Sequence, residues 1–170
     1  MRQMNRWSIG ILFLALSFCT PAMCQMSERC PWLNAETAAG MLNGPVTFTV
    51  TYPGEDKKDA SCEFVHQEGA VVSRLRIEVQ TMKDLASEFA SYAAKCGQDA
   101  TPLRAIGNEA KICSLHRQHE FSEQVVSRVR ERAFLVSVTS NATTPAASEL
   151  RDQLHEKAEK IAEQVAGFLF

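Results

Sequence analysis

The chain has 170 residues, 18 basic and 20 acidic side chains and a formal net charge of −2, so it lacks the strongly basic footprint of a nucleic-acid-binding domain. Hydrophobic residues make up 45% of it, enough apolar material for one packed domain of this length and too much for a disordered chain. Residues 1–24 open on Arg2 and Arg6, run through an apolar stretch from Ile9 to Cys19, and reach Ala22 and Cys24 at the −3 and −1 places if cleavage precedes Gln25. That is the tripartite form of a secretory signal. Its apolar run is about half of the roughly 20 residues a membrane span needs. Lipid attachment is disfavoured, because Phe18 and Met23 rather than small residues precede Cys19 and Cys24. The expectation is an exported chain, periplasmic or secreted, in which residues 25–170 form a single domain with no transmembrane span.

Four cysteines remain after residue 24: Cys30, Cys62, Cys96 and Cys113. An even count in an exported chain implies disulfides, and four cysteines allow three pairings. Their spacing lacks the close C-x-x-C or C-x-H pairs of a zinc site. Cys30–Cys62 with Cys96–Cys113 is preferred, since each bridge then links a helix end to a strand nearby in sequence.

Asn34 is placed to cap a short helix over Ala35–Leu42, which Asn43–Gly44–Pro45 stops. Val46, Phe48, Val50 and Tyr52 then alternate with Thr47, Thr49 and Thr51, a strand with one buried face. Glu55–Asp59 is a charged connection to strands over Ser61–His66 and Ala70–Gln80. The second of these turns Val71, Leu75, Ile77 and Val79 inward and Arg74, Arg76 and Glu78 outward. Thr81 is read as the cap of a helix over Met82–Cys96, with Leu85, Phe89, Tyr92, Ala93 and Cys96 as its buried stripe and Gly97 as its stop. A loop, Gln98–Asn108, precedes a strand at Glu109–His116.

Two more strands, Glu120–Arg130 and Ala133–Thr139, are read as joined by a turn at Glu131–Arg132. Val125 and Val129 share one face of the first, and Gln124, Arg128 and Arg130 the other. Thr144 and Pro145 begin a final helix whose apolar stripe is Leu150, Leu154, Ala158, Ile161, Val165 and Phe168. The order is helix, three strands, helix, three strands, helix. It argues for an α+β fold, an antiparallel sheet of about six strands with the helices packed on one face.

The stretch CPWLNAETAAGMLNGPV (Cys30–Val46), the second cysteine in CEFVH (Cys62–His66) and the turn-strand AIGNEAKI (Ala105–Ile112) together resemble small exported domains of bacterial envelope proteins. The groups they are similar to are actinobacterial-type exported lipoproteins and the related Mog1/PsbP-like α/β domains. The resemblance implies an envelope address, a role without catalysis and no active-site residues.

The chemistry legible in the residues is sparse. His116 and His119 have an H-x-x-H spacing beside Glu120, but on a strand the two rings point to opposite sides. His66 with Glu68 carries no stronger metal signal. No G-x-S-x-G elbow, phosphate loop or dinucleotide fingerprint occurs, and bridging consumes the thiols, so no catalytic residue, metal or cofactor is expected. The face opposite the helices is more informative. Thr47, Thr49, Thr51, Arg74, Arg76, Arg128 and Arg130 would line it as a surface for an envelope protein or an anionic ligand, with the arginines as donors. Two other readings are a carrier holding a small apolar ligand among Phe48, Phe89 and Phe134, and a metal-assisted hydrolase on His116, His119 and Glu120. Asn141–Ala142–Thr143 also fits a glycosylation acceptor.

Overall fold

A computed structural model describes residues 29–53, 58–97, 99–117, 119–143 and 146–170. The secretory signal and the Thr144–Pro145 start of the last helix lie outside the described residues. Helix α1 (Ala35–Leu42) begins as the sequence predicts: the Asn34 side chain accepts from the Thr37 N–H at 2.7 Å, and Asn43 ends the helix in the left-handed conformation at φ 64°. Strands β1 (Thr47–Thr51), β2 (Ala60–Glu68) and β3 (Val71–Thr81) follow as a meander, then helix α2 (Leu85–Ala93) with a 3-10 turn at Ala94–Cys96. A second meander comprises β4 (Thr101–Leu103), β5 (Glu109–Arg117), β6 (Glu120–Val129) and β7 (Arg132–Ser140), and α3 (Ala147–Leu169) closes the chain.

The two meanders join edge to edge through β3 and β7, giving one seven-stranded antiparallel sheet in the order β1-β2-β3-β7-β6-β5-β4. The seventh strand, β4, falls inside the segment read as loop. Pro102 sits in its middle, which demotes a strand signal, but β4 is at the sheet edge, where a missing N–H is tolerated. The β6–β7 turn falls one residue earlier than expected, at Arg130–Glu131, because Val129 pairs with Arg132.

Alternation sorts the apolar residues onto two faces. On the first, Phe64, Leu75, Ile77, Val125, Phe134, Val136 and Val138 lie beneath α1 and α3. Helix α3 runs over β6 and β7 and buries Leu150, Leu154, Ala158, Ile161 and Val165. Its last turn is rotated from the expected stripe: Leu169 is buried and Phe168 is 61% exposed.

The helices do not share one face, which corrects the sequence reading. Helix α2 packs on the opposite side, where Phe89, Tyr92 and Cys96 meet Met82, Val126, Ala133 and Leu135. The cause lies in β6 and β7, where Val125–Val126 and Phe134–Leu135–Val136 are apolar at successive positions. Such runs mark strands covered on both sides. The start of α2 also differs from expectation. Thr81 is the last residue of β3, donating its N–H and hydroxyl to Asp59 Oδ1 at 2.8 and 2.7 Å. Asp84 caps instead, accepting from the Ala86 and Ser87 N–H groups. The Ser87 hydroxyl first, then the Ser87 and Ala86 N–H groups, hold its carboxyl below the ordinary range. Leu85, expected in the buried stripe, is 43% exposed.

The two disulfides divide between the faces. Cys30–Cys62 ties the segment entering α1 to β2 under the first face, and Cys96–Cys113 ties the end of α2 to β5 on the second. Two glycines mark close approaches. A side chain at Gly44 would collide with the His66 ring, whose Nδ1 lies 2.9 Å from the Pro45 carbonyl oxygen. Gly107, at φ 65°, lies against the Arg128 carbonyl and lets Asn108 clamp the end of β6: its N–H donates to Arg128 O, and its Oδ1 accepts from Arg130 N, both at 2.7 Å.

Candidate functional site

Of the seven residues predicted to line one face of the sheet, five lie together on its exposed part. Thr47, Thr49 and Thr51 on β1 and Arg74 and Arg76 on β3 are exposed on the side of the sheet opposite α1 and α3. Arg128 belongs to the same side by alternation but is separated from them by α2. Its guanidinium lies 5.8 Å from the centre of the Phe89 ring, and its Nη1 donates to Arg130 O at 3.4 Å. It lines a different groove, about 630 Å³, between α2 and β5. Arg130 lies on no strand face. It occupies the β6–β7 turn with φ 53°.

What remains open is the half of the second face that α2 leaves uncovered. In register across it run Arg74, Thr139, Ser122 and Leu115, then Arg76 and Ser137, beyond which Gln124 and Cys113 are buried at the end of α2. Hydroxyls form a chain in the middle, with Thr139 donating to Ser122 at 2.9 Å and Ser122 and Ser137 bonded at 3.0 Å. Charges flank them in pairs: Arg74 with Glu120 at 3.1 Å, Arg76 with Glu78 at 2.6 Å, and Lys95 of the 3-10 turn with Glu78 at 3.5 Å. The trough is about 280 Å³ and Arg117 also lines it. Each paired guanidinium keeps donors to spare, since arginine carries five N–H groups. The surface therefore presents both donors and acceptors, with the cations Arg74, Arg76, Lys95 and Arg117 set against Glu78 and Glu120, where the sequence suggested a face of threonines and arginines.

A second constellation was missed in the sequence. Glu123 on β6 is 1% exposed, on the first face beside Val125. The Ser114 hydroxyl of β5 donates to its Oε1 at 2.5 Å, and His155 Nδ1 of α3 lies 3.4 Å from its Oε2, which has no hydrogen bond among the described residues. A cleft of about 420 Å³ adjoins it, lined by His116, Phe121, Ser148 and Arg151 as well as Ser114 and Glu123. The signal was available: Glu123 is in phase with Val125 and Val129, so a carboxylate occupies an inward position. Chemically, the carboxylate stands between hydroxyl and imidazole. Nucleophilic catalysis would place the imidazole in the middle, to take the serine proton.

The other predicted residues are dispersed. His116 packs its ring on Phe121 at 4.6 Å, and Glu120 is engaged by Arg74. Among the described residues no three His, Cys, Asp or Glu side chains converge as metal ligands. Phe48 and Phe134 belong to the core under α1 and α3, and Phe89 to the small cluster on the far side of the sheet, so the three do not line one cavity. The Asn141 side chain has a structural task at the end of β7: it accepts from Val72 N at 2.7 Å and donates to Ala70 O at 3.1 Å. Among the described residues no helix is long and apolar enough to cross a membrane. No family model, curated protein or solved structure matches the chain.

Proposed function

We propose that the chain is an exported, non-catalytic accessory domain of the cell envelope that binds a protein or peptide partner through the uncovered half of its second sheet face. The observation that carries this reading is the exposed set of Arg74, Arg76 and Lys95 interleaved with Glu78, Glu120 and a hydroxyl row on a rigid sheet. Such a face offers a partner hydrogen bonds of both polarities and selects it by charge register more than by apolar area. The signal-like residues 1–24 and the two disulfides support the exported address, because disulfides persist in oxidising compartments. The likeness to small exported envelope domains agrees with it.

The test is co-purification of the exported chain with its bound material, followed by mass identification, for the wild type and for Arg74→Glu with Arg76→Glu. Both positions are exposed, so the double variant keeps its fold and its disulfides. One stoichiometric protein partner that the variant loses supports the proposal. A partner retained unchanged by the variant, or a lipid found in place of a protein, overturns it.

A further inference from the structure

The two edges of the sheet are built differently. At one, β4 is three residues long with Pro102 at its centre, which leaves little backbone for another strand to pair with. At the other, β1 is paired on one side alone among the described residues, and none of its five side chains is charged. Charged side chains, prolines and brevity are the usual devices that keep an edge from pairing. Here Pro45 and Pro53 stand just outside, so the strand and the residue on either side of it, 46–52, carry neither a charge nor a proline.

That segment has a palindromic pattern. Val46, Phe48, Val50 and Tyr52 all point to the first face, and all four are half-buried against the margin of the core, with the Tyr52 hydroxyl donating to Arg29 O at 3.3 Å. Thr47, Thr49 and Thr51 all point to the second face and are exposed. An antiparallel copy centred on Thr49 sets Phe48 against Val50, Val46 against Tyr52, and Thr47 against Thr51. Every apolar side chain then meets an apolar one on the same face, every threonine meets a threonine, and no like charges are opposed. Cross-strand pairs of both kinds stabilise antiparallel ladders. A two-fold axis through Thr49 also makes the contact isologous and closed, so it stops at two copies.

We infer that β1 is a self-pairing edge, and that two copies join through it into one continuous sheet with the polar second faces side by side. Pairing over seven residues makes the association modest, so it depends on concentration.

The experiment is sedimentation equilibrium of the exported chain with both disulfides formed. The wild type is expected to double in mass as concentration rises. Two double variants then probe the axis. Thr47→Lys with Thr51→Lys opposes lysine to lysine across the contact and is expected to stay at single-chain mass. Thr47→Glu with Thr51→Lys opposes glutamate to lysine at both ends and is expected to double at least as readily as the wild type. Within the chain, positions 47 and 51 directly face the uncharged Val65 and Ser61, and urea denaturation of each variant checks that both monomers stay folded beside the diagonal Glu63. A wild type that keeps single-chain mass up to its solubility limit overturns the inference, even if it binds a foreign extended peptide at β1. So do two double variants that behave alike.

Discussion

The two faces of this sheet are covered by different means. Under α1 and α3 the first face holds one continuous core from Phe64 to Val129, roofed by a helix of 23 residues. The second face has a nine-residue helix over a cluster of eight buried residues, with a disulfide at its end. What an extended roof does on one side, a covalent tie does on the other. The smaller roof is also what leaves half of the second face open. The larger buried core lies on the first face, and the proposed recognition surface is on the second.

Truncating one phenylalanine on each side should bring out the contrast most strongly. Phe134 is fully buried between β7 and α3, and Phe134→Ala should cost about 3–5 kcal/mol, the range for a gap that a close-packed core does not collapse to fill. Phe89→Ala should cost about 2 kcal/mol, closer to the transfer term alone, because α2 has solvent on its outer side and can settle into the space. Urea denaturation of the two variants measures both losses. Equal losses would mean that α2 is as integral to the core as α3.

This asymmetry was half legible in the sequence. The first face could be read because its strands alternate and α3 repeats at three- and four-residue spacing, both of which are one-sided patterns. The second face depends on Val126 and Leu135, each of which follows another inward apolar residue. A doubled apolar step is also compatible with ordinary strand content, so the sequence alone neither puts α2 on the second face nor separates Arg128 from Arg74 and Arg76. The cysteine pairing was accessible because each bridge is short in sequence. Glu123 was overlooked although its phase was visible, since a carboxylate at an inward position is out of keeping with the apolar residues around it. Its partners Ser114 and His155 lie on other elements, and no local pattern connects them.

The disulfides offer the next way to sharpen the comparison. Replacing Cys96 and Cys113 together with alanine removes a bridge across 17 residues, worth about 3 kcal/mol in the chain-entropy account. The loss should be local in character. Amide exchange should quicken across α2 and the 3-10 turn, and protection in β7 and α3 should persist. Replacing Cys30 and Cys62 instead loosens the cover over β2, and the effect should reach the shared core. Should α2 keep its protection without Cys96–Cys113, packing on Val126 and Leu135 would suffice to hold it, and the covalent tie would not be what secures the second face.

The smallest expected effect has the opposite sign. The Tyr92 hydroxyl is buried beneath α2 and has no hydrogen-bond partner among the described residues. Burial, followed by the charge of Glu78, raises its pKa, with Arg76 partly opposing. A buried hydroxyl without a partner is a cost the smaller cluster carries, and Tyr92→Phe should relieve it, adding about 1 kcal/mol or less at neutral pH. The pH dependence follows from the direction of the shift. A phenol whose folded pKa lies above its unfolded one contributes fully below the unfolded value, near the ordinary 10. That contribution is lost as pH rises from there toward the folded value, because the unfolded chain ionises first. The wild type should therefore lose stability relative to Tyr92→Phe as pH climbs past about 10, when urea midpoints of the two are compared at matched pH. A variant less stable than the wild type at neutral pH would mean that the hydroxyl bonds to a partner such as the Glu78 carboxylate, whose charge already acts on it, and that α2 is held by a polar contact as well as by sulfur.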